Sequence, residues 1–122
     1  LREILLECER RSAHLTDFIV NIALAYGGRA ELVRAVNLAV EKGEKVTEES
    51  LSKLLYTGGM PDPDLVIRTG GEKRLSNFLL YQSAYAELYF SDKPFPDFSP
   101  KDLDLAIKEY SSRERRFGKV DE

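Results

Sequence analysis

The spacing of hydrophobic positions changes along the chain, and those changes divide it into elements. Over residues 1–14, Leu1, Ile4, Leu5 and Cys8 fall on one face of a 3.6-residue repeat, which predicts an amphipathic helix. Phe18 to Tyr26 is by contrast almost unbroken apolar sequence with several β-branched residues. That composition suits a strand covered on both faces, as in a parallel sheet. Gly27-Gly28 interrupts it, and Leu32, Val33, Val36, Ala39 and Val40 then return to helical spacing up to a stop at Gly43. Thr47, followed by Glu48 and Glu49, offers a hydroxyl cap and two acids at the positive end of a helix dipole. A short helix carrying Leu51, Leu54 and Leu55 is expected there.

Gly58 to Pro63 is turn chemistry, and Asp64 to Arg68 reads as a short strand ending at Thr69-Gly70-Gly71. Beyond a polar loop, Asn77 to Tyr85 is expected to be helical and Ala86 to Phe90 a strand. Pro94, Pro96 and Pro100 mark an irregular stretch, and Ser99-Pro100 is a strong helix start. The helix that follows is expected to turn Leu103, Ile107 and Tyr110 inward and to end in Arg113-Glu114-Arg115-Arg116-Phe117-Gly118. Strands alternating with helices in this order argue for an α/β fold, a mostly parallel sheet flanked by helices. A sheet of so few strands has two open edges, so further strands from an earlier segment or a partner are expected to complete it. The chain also opens on Leu1 in mid-helix without an initiator methionine, and it is therefore expected to be a piece of something longer.

Composition adds bounds. With 122 residues, 43% hydrophobic and 32% charged, the chain is sized for a single globular domain. Its net charge of −3 gives no general surface for nucleic acid. Cys8 is the only cysteine, which excludes an internal disulfide and a cysteine-rich metal site. It reads as a small buried apolar residue, and His14 as structural or exposed. No apolar run approaches the ~20 residues that span a bilayer, and no secretory leader is visible, so a cytoplasmic location is expected.

The chemistry concentrates between Asp64 and Phe90. In α/β sheets ligands bind beyond the carboxyl ends of strands, and Arg68 stands at such an end. Gly70 and Gly71 would let backbone N–H groups approach an anion, and Arg68 and Arg74 offer planar forks suited to phosphate oxygens. Ser76-Asn77 would open a helix whose N-terminus favours an anion as well. Neither the Walker spacing nor the dinucleotide fingerprint is present. Glu72 repels phosphate by charge, and makes sense there if it orients the arginines or neighbours a metal.

Asp64-Leu65-Val66-Ile67-Arg68-Thr69-Gly70-Gly71-Glu72-Lys73-Arg74-Leu75-Ser76-Asn77-Phe78-Leu79-Leu80-Tyr81-Gln82 resembles the most recognisable motif of the cis-prenyltransferases, the undecaprenyl diphosphate synthase family. Tyr85 to Phe90, Phe95 to Phe98, Asn21 to Arg29 and Arg113 to Gly118 are similar to further family blocks in the family's order. The resemblance implies that the chain is the C-terminal portion, residues 1–122, of one such domain. It implies an enzyme that condenses isopentenyl diphosphate with an allylic diphosphate such as farnesyl diphosphate, making Z double bonds with Mg²⁺. By resemblance, Arg68, Arg74 and Ser76 hold the diphosphate of isopentenyl diphosphate, Glu72 arranges those groups, and Glu87 assists the magnesium site. Arg116-Phe117-Gly118 matches the arginine-x-glycine that reaches across a homodimer to the partner's diphosphate, and any membrane contact would be peripheral, through the lipid product. Lys73 replaces a histidine found in some members, and charged lysine does not ligate Mg²⁺. The family's aspartate-glycine-asparagine-x-arginine segment, with its catalytic aspartate, does not occur in these residues. No catalytic residue is therefore assigned, and the chain alone is expected to be inactive. Two other readings are a non-catalytic partner subunit, which usually loses the glycine-glycine-glutamate motif retained here, and a stand-alone diphosphate-binding module. The role of Tyr26 to Arg29 is left open by the sequence.

Overall fold

The structure, a computed structural model, describes residues 1–114. Helix α1 spans Arg2–Ser12, α2 Gly28–Glu41, α3 Glu48–Leu54 and α4 Pro100–Ser112. Strands β1 (Leu65–Arg68) and β2 (Glu87–Phe90) lie parallel, and a 3₁₀ turn at Phe95–Asp97 precedes α4. The register pairs Leu65 with Glu87 and Arg68 with Phe90. Main-chain bonds from Glu87 N–H to Asp64 O and from Ser91 N–H to Arg68 O extend the ladder by one step at each end.

Local chemistry accounts for the helix starts. Thr47 and Ser50 form a reciprocal capping box: Ser50 N–H donates to Thr47 Oγ1 at 3.1 Å, and Thr47 N–H to Ser50 Oγ at 2.8 Å. At α4, Asp102 accepts from Ser99 N–H at 2.9 Å and from Ser99 Oγ at 2.6 Å, with Pro100 in the first turn. α2 packs on α3 through small residues. Ala35 and Ala39 are buried against the region of Leu55, and Arg34 reaches over to donate to Leu54 O and to stack on the Tyr56 ring, 4.3 Å from its centroid.

The α/β class and both strands of the Asp64–Phe90 region agree with the sequence reading, and four expectations do not. Phe18 to Tyr26 forms no strand, since among the described residues no neighbouring strand supplies the ladder bonds. Apart from half-buried Tyr26 its apolar side chains are bare, Phe18 at 82% and Ile19 at 72% exposure. Asn77 to Tyr85 is a run of turns, because Ser76, Asn77 and Leu79 have φ of 48°, 67° and 44°, which a right-handed helix does not accept. Cys8 is exposed, and no residue of α1 is buried among the described residues. The inward face of α4 carries Asp102 and Ala106, whereas Leu103 and Ile107 are exposed. α2 likewise buries Gly28, Glu31, Ala35 and Ala39 and leaves Val33 and Val40 outside.

Candidate functional site

Arg68 ends β1, half-buried, and its side chain folds back over the loop that follows. Its Nη1 donates to Ser76 Oγ at 2.8 Å and to the main-chain carbonyl of Arg74. Glu72 pairs with Arg74 at 2.5 Å, both largely exposed. The structure thus brings Arg68, Glu72, Arg74 and Ser76 together beyond the carboxyl end of β1. They stand beside a hollow lined by Val66, Ile67, Arg68, Arg74, Leu75 and Phe78. An anion there would meet the two arginine side chains, with Glu72 fixing one fork and the Ser76 hydroxyl holding the other.

The glycines serve this loop differently from the sequence expectation. Gly70 and Gly71 have φ of 92° and 78°. Their N–H groups donate inward, to Lys93 O at 2.8 Å and Ser91 O at 2.9 Å. Those amides anchor the loop to the segment after β2 and are not turned to an anion. Nor does Ser76-Asn77 open a helix, and its N-terminal dipole is missing from the anion-holding devices.

Glu87 lies elsewhere. The parallel register puts it at the starting end of β2, opposite the end where Arg68 stands. Its Oε2 accepts from Arg113 Nη1 at 2.7 Å, and Arg113 also binds Glu109 and the carbonyl of Leu88. Among the described residues, no three acidic, histidine or cysteine side chains cluster as a metal site. Within these residues the Glu87 carboxylate is held by the Arg113 guanidinium. Gly118, with Arg116 and Phe117, lies outside the described residues. Lys73 is exposed beside Glu72 in sequence, and His14 is exposed.

Three groups hold the site in place, and of these the sequence pointed only to Asn77, as the start of a helix that it does not open. Asn77 accepts Arg29 N–H on its Oδ1 at 2.9 Å and Gly28 N–H on its main-chain oxygen at 2.7 Å, joining the loop to the start of α2. Lys93, whose carbonyl receives Gly70, sends its Nζ to Asp102 at 2.7 Å. The Lys93 ammonium and, after it, the Ser99 hydroxyl and N–H hold the Asp102 carboxyl well below the usual carboxylate range. Glu31 is 1% exposed and accepts from Tyr26 Oη, Tyr56 N–H at 2.7 Å and Gln82 Nε2 at 3.1 Å. Burial, reinforced by the Glu31 carboxylate, pushes the Tyr26 hydroxyl up to about 12. An acid inside a helical apolar stripe gives no periodic signal of burial, which is why Glu31 escaped the sequence pattern.

Comparison with known proteins identifies the family. The family model described as "Putative undecaprenyl diphosphate synthase" matches residues 1–118. A tritrans,polycis-undecaprenyl-diphosphate synthase (geranylgeranyl-diphosphate specific) of Pyrococcus abyssi is 48% identical, covering 98% of this chain and 48% of the relative. An isoprenyl transferase of Fusobacterium nucleatum is 54% identical over 92% of this chain and 49% of its own length. Among solved structures, lavandulyl diphosphate synthase from Lavandula x intermedia, in complex with dimethylallyl diphosphate, superposes with a TM-score of 0.89 at 37% identity, covering 97% of this chain and 54% of that one. A probable undecaprenyl diphosphate synthase from Campylobacter jejuni gives 0.85 at 42% identity, covering 97% and 56%. The chain spans about half the length of the curated relatives it matches. With a family model matching almost end to end, the chain belongs to the undecaprenyl diphosphate synthase family, the cis-prenyltransferases that its motifs resemble.

Proposed function

We propose that this chain is the isopentenyl diphosphate-anchoring, C-terminal portion of a cis-prenyl chain-elongating enzyme. The observation that carries the reading is the convergence of Arg68, Arg74 and Ser76 beyond the carboxyl end of β1, with Glu72 on Arg74. The two guanidinium groups hold the diphosphate, and the Ser76 hydroxyl, already bound to Arg68, turns to complete the contact. Anchoring one end of a small substrate fixes where its double bond lies, so that it attacks the allylic carbon as the allylic diphosphate departs. A proton then leaves the new chain as the Z double bond forms.

Magnesium belongs to this proposal at the level of the whole enzyme, where it would neutralise the departing diphosphate. Mg²⁺ commonly takes one or two carboxylates and completes its shell with phosphate oxygens and waters. Glu87 is the carboxylate proposed for it, and it must share or leave Arg113 to serve. A homodimer in which Gly118 reaches the partner's diphosphate, a cytoplasmic setting and peripheral contact with membrane through the product complete the reading. No helix among the described residues is long and apolar enough to cross a membrane.

The test is isopentenyl diphosphate binding by calorimetry. Arg68→Ala and Arg74→Ala are each expected to weaken it by at least ~10-fold, since a charge-assisted bond contributes about 1.5–3 kcal/mol. Ser76→Ala should cost only about 5-fold, as befits a neutral donor. Equal binding by the wild type and both arginine variants would sink the assignment.

A further inference from the structure

We propose that Asn77 is a positioning residue that locks the diphosphate loop onto the first turn of α2, so that the Tyr26–Arg29 turn and the Arg68–Ser76 loop act as one unit. The inference rests on the reading of that loop as the isopentenyl diphosphate anchor.

Helix α2 begins with N–H groups that have no partner inside the helix. Gly27, its capping residue, has no side chain to receive them, and no local cap is made. Asn77, distant in sequence, supplies what is missing: its main-chain oxygen takes Gly28 N–H at 2.7 Å and its Oδ1 takes Arg29 N–H at 2.9 Å. The cap is therefore a tertiary contact, and it works in both directions.

Contact this close leaves little room for a side chain at either glycine. A Cβ on Gly27 would come within 2.9 Å of Asn77 Nδ2, and one on Gly28 within 3.1 Å of both Asn77 O and Leu80 Cγ. Gly28 is itself buried. On the other side of the junction Asn77 has φ of 67°, a left-handed conformation that asparagine tolerates better than most residues. Ser76, at φ 48°, is its chain neighbour, and Ser76 Oγ is where Arg68 Nη1 rests at 2.8 Å. The Arg68 fork is thus aimed by a turn whose far end is bonded to α2. Neither Gly27-Gly28 nor Asn77 touches the hollow beside Arg68 and Arg74.

The variant that isolates the lock is Asn77→Gly, which keeps the left-handed backbone and the carbonyl while removing the Oδ1 acceptor. In the full chain that carries this sequence, its KM and Kd for isopentenyl diphosphate are expected to rise about 10-fold, with kcat within about 2-fold of wild type. A purely structural role would reduce the folded, active fraction, lowering apparent kcat and leaving KM alone. Gly28→Ala, which disturbs the junction from the α2 side, should raise KM in the same way. The double variant should be no worse than the poorer single one, because both loosen the same junction between the loop and α2. Unchanged KM in Asn77→Gly, or additive losses in the double variant, would overturn the proposal. If the wild-type full chain fails to bind isopentenyl diphosphate at all, the reading of the loop falls first and this inference with it.

Discussion

The side chains that matter most here are polar groups whose partners lie far away in sequence. Arg68, Glu72, Arg74 and Ser76 were visible as a candidate set because they crowd into one short motif, and their convergence needs only one turn of chain. Tyr26 and Glu31 were not, because their contact depends on how α2 packs under Tyr56 and Gln82. The Tyr26 hydroxyl makes this pair measurable. Its proton is retained in the fold up to about pH 12, against about 10 for a free tyrosine. A group with a raised folded pKa contributes stability that is complete below its unfolded value and lost as pH rises through the folded one. Tyr26→Phe is therefore expected to be less stable than wild type by about 1.5–3 kcal/mol at neutral pH, the cost of losing a bond to a carboxylate. The gap should close between pH 10 and 12. Denaturant melts across that range measure it, and a gap that persists unchanged at pH 12 would exclude the Glu31 bond as its source.

At the level of elements, sequence and structure agree where the signal is local and part where it depends on neighbours. The capping boxes at Thr47 and Ser99 and the strands around Leu65–Arg68 and Glu87–Phe90 come from residue types that act within a few positions. The helix expected over Asn77 to Tyr85 failed because Asn77 is drawn into a left-handed turn by its contact with α2, which periodicity does not register. The face of α4 was misjudged for a related reason: Asp102 turns inward to meet Lys93 and Ser99, and the helix follows it. This contact links α4 to the diphosphate loop, since the carbonyl of Lys93 holds Gly70. The Asp102 carboxyl, depressed chiefly by the Lys93 ammonium, contributes stability present above the ordinary carboxylate pKa of about 4 and lost as pH falls below it. Asp102→Asn is expected to melt lower than wild type at pH 7, with the difference in Tm shrinking steadily below pH 4. A difference that stays constant down to pH 2 would mean that the ion pair is not what Asp102 supplies.

For the whole molecule the question is what the loop is built upon. The sequence reading expected Phe18 to Tyr26 to be a covered strand, and the composition still says so. Yet Phe18, Ile19, Val20 and Ile22 stand 69–82% exposed, beside a buried hydrophobic set of only Ala35, Ala39, Leu55 and Ala106 among the described residues. A contiguous apolar stretch of this kind on a soluble surface marks a place where other polypeptide packs. The curated relatives are about twice as long as this chain, so they carry sequence able to do so. We therefore expect the 122-residue chain by itself to bind a hydrophobic dye and to self-associate. Replacing Phe18, Ile19 and Ile22 together by serine or threonine should remove most of both effects without loosening the loop. The two consequences separate cleanly. Dye binding and sedimentation report the bare stretch, whereas isopentenyl diphosphate affinity reports Arg68 and Arg74. If the triple variant keeps the dye signal, the exposed surface lies elsewhere, for example on the apolar side of α1, which buries nothing. If it loses isopentenyl diphosphate affinity along with the dye signal, the apolar stretch supports the loop directly, and the anchoring end of the sheet depends on the very segment that these residues leave unpaired.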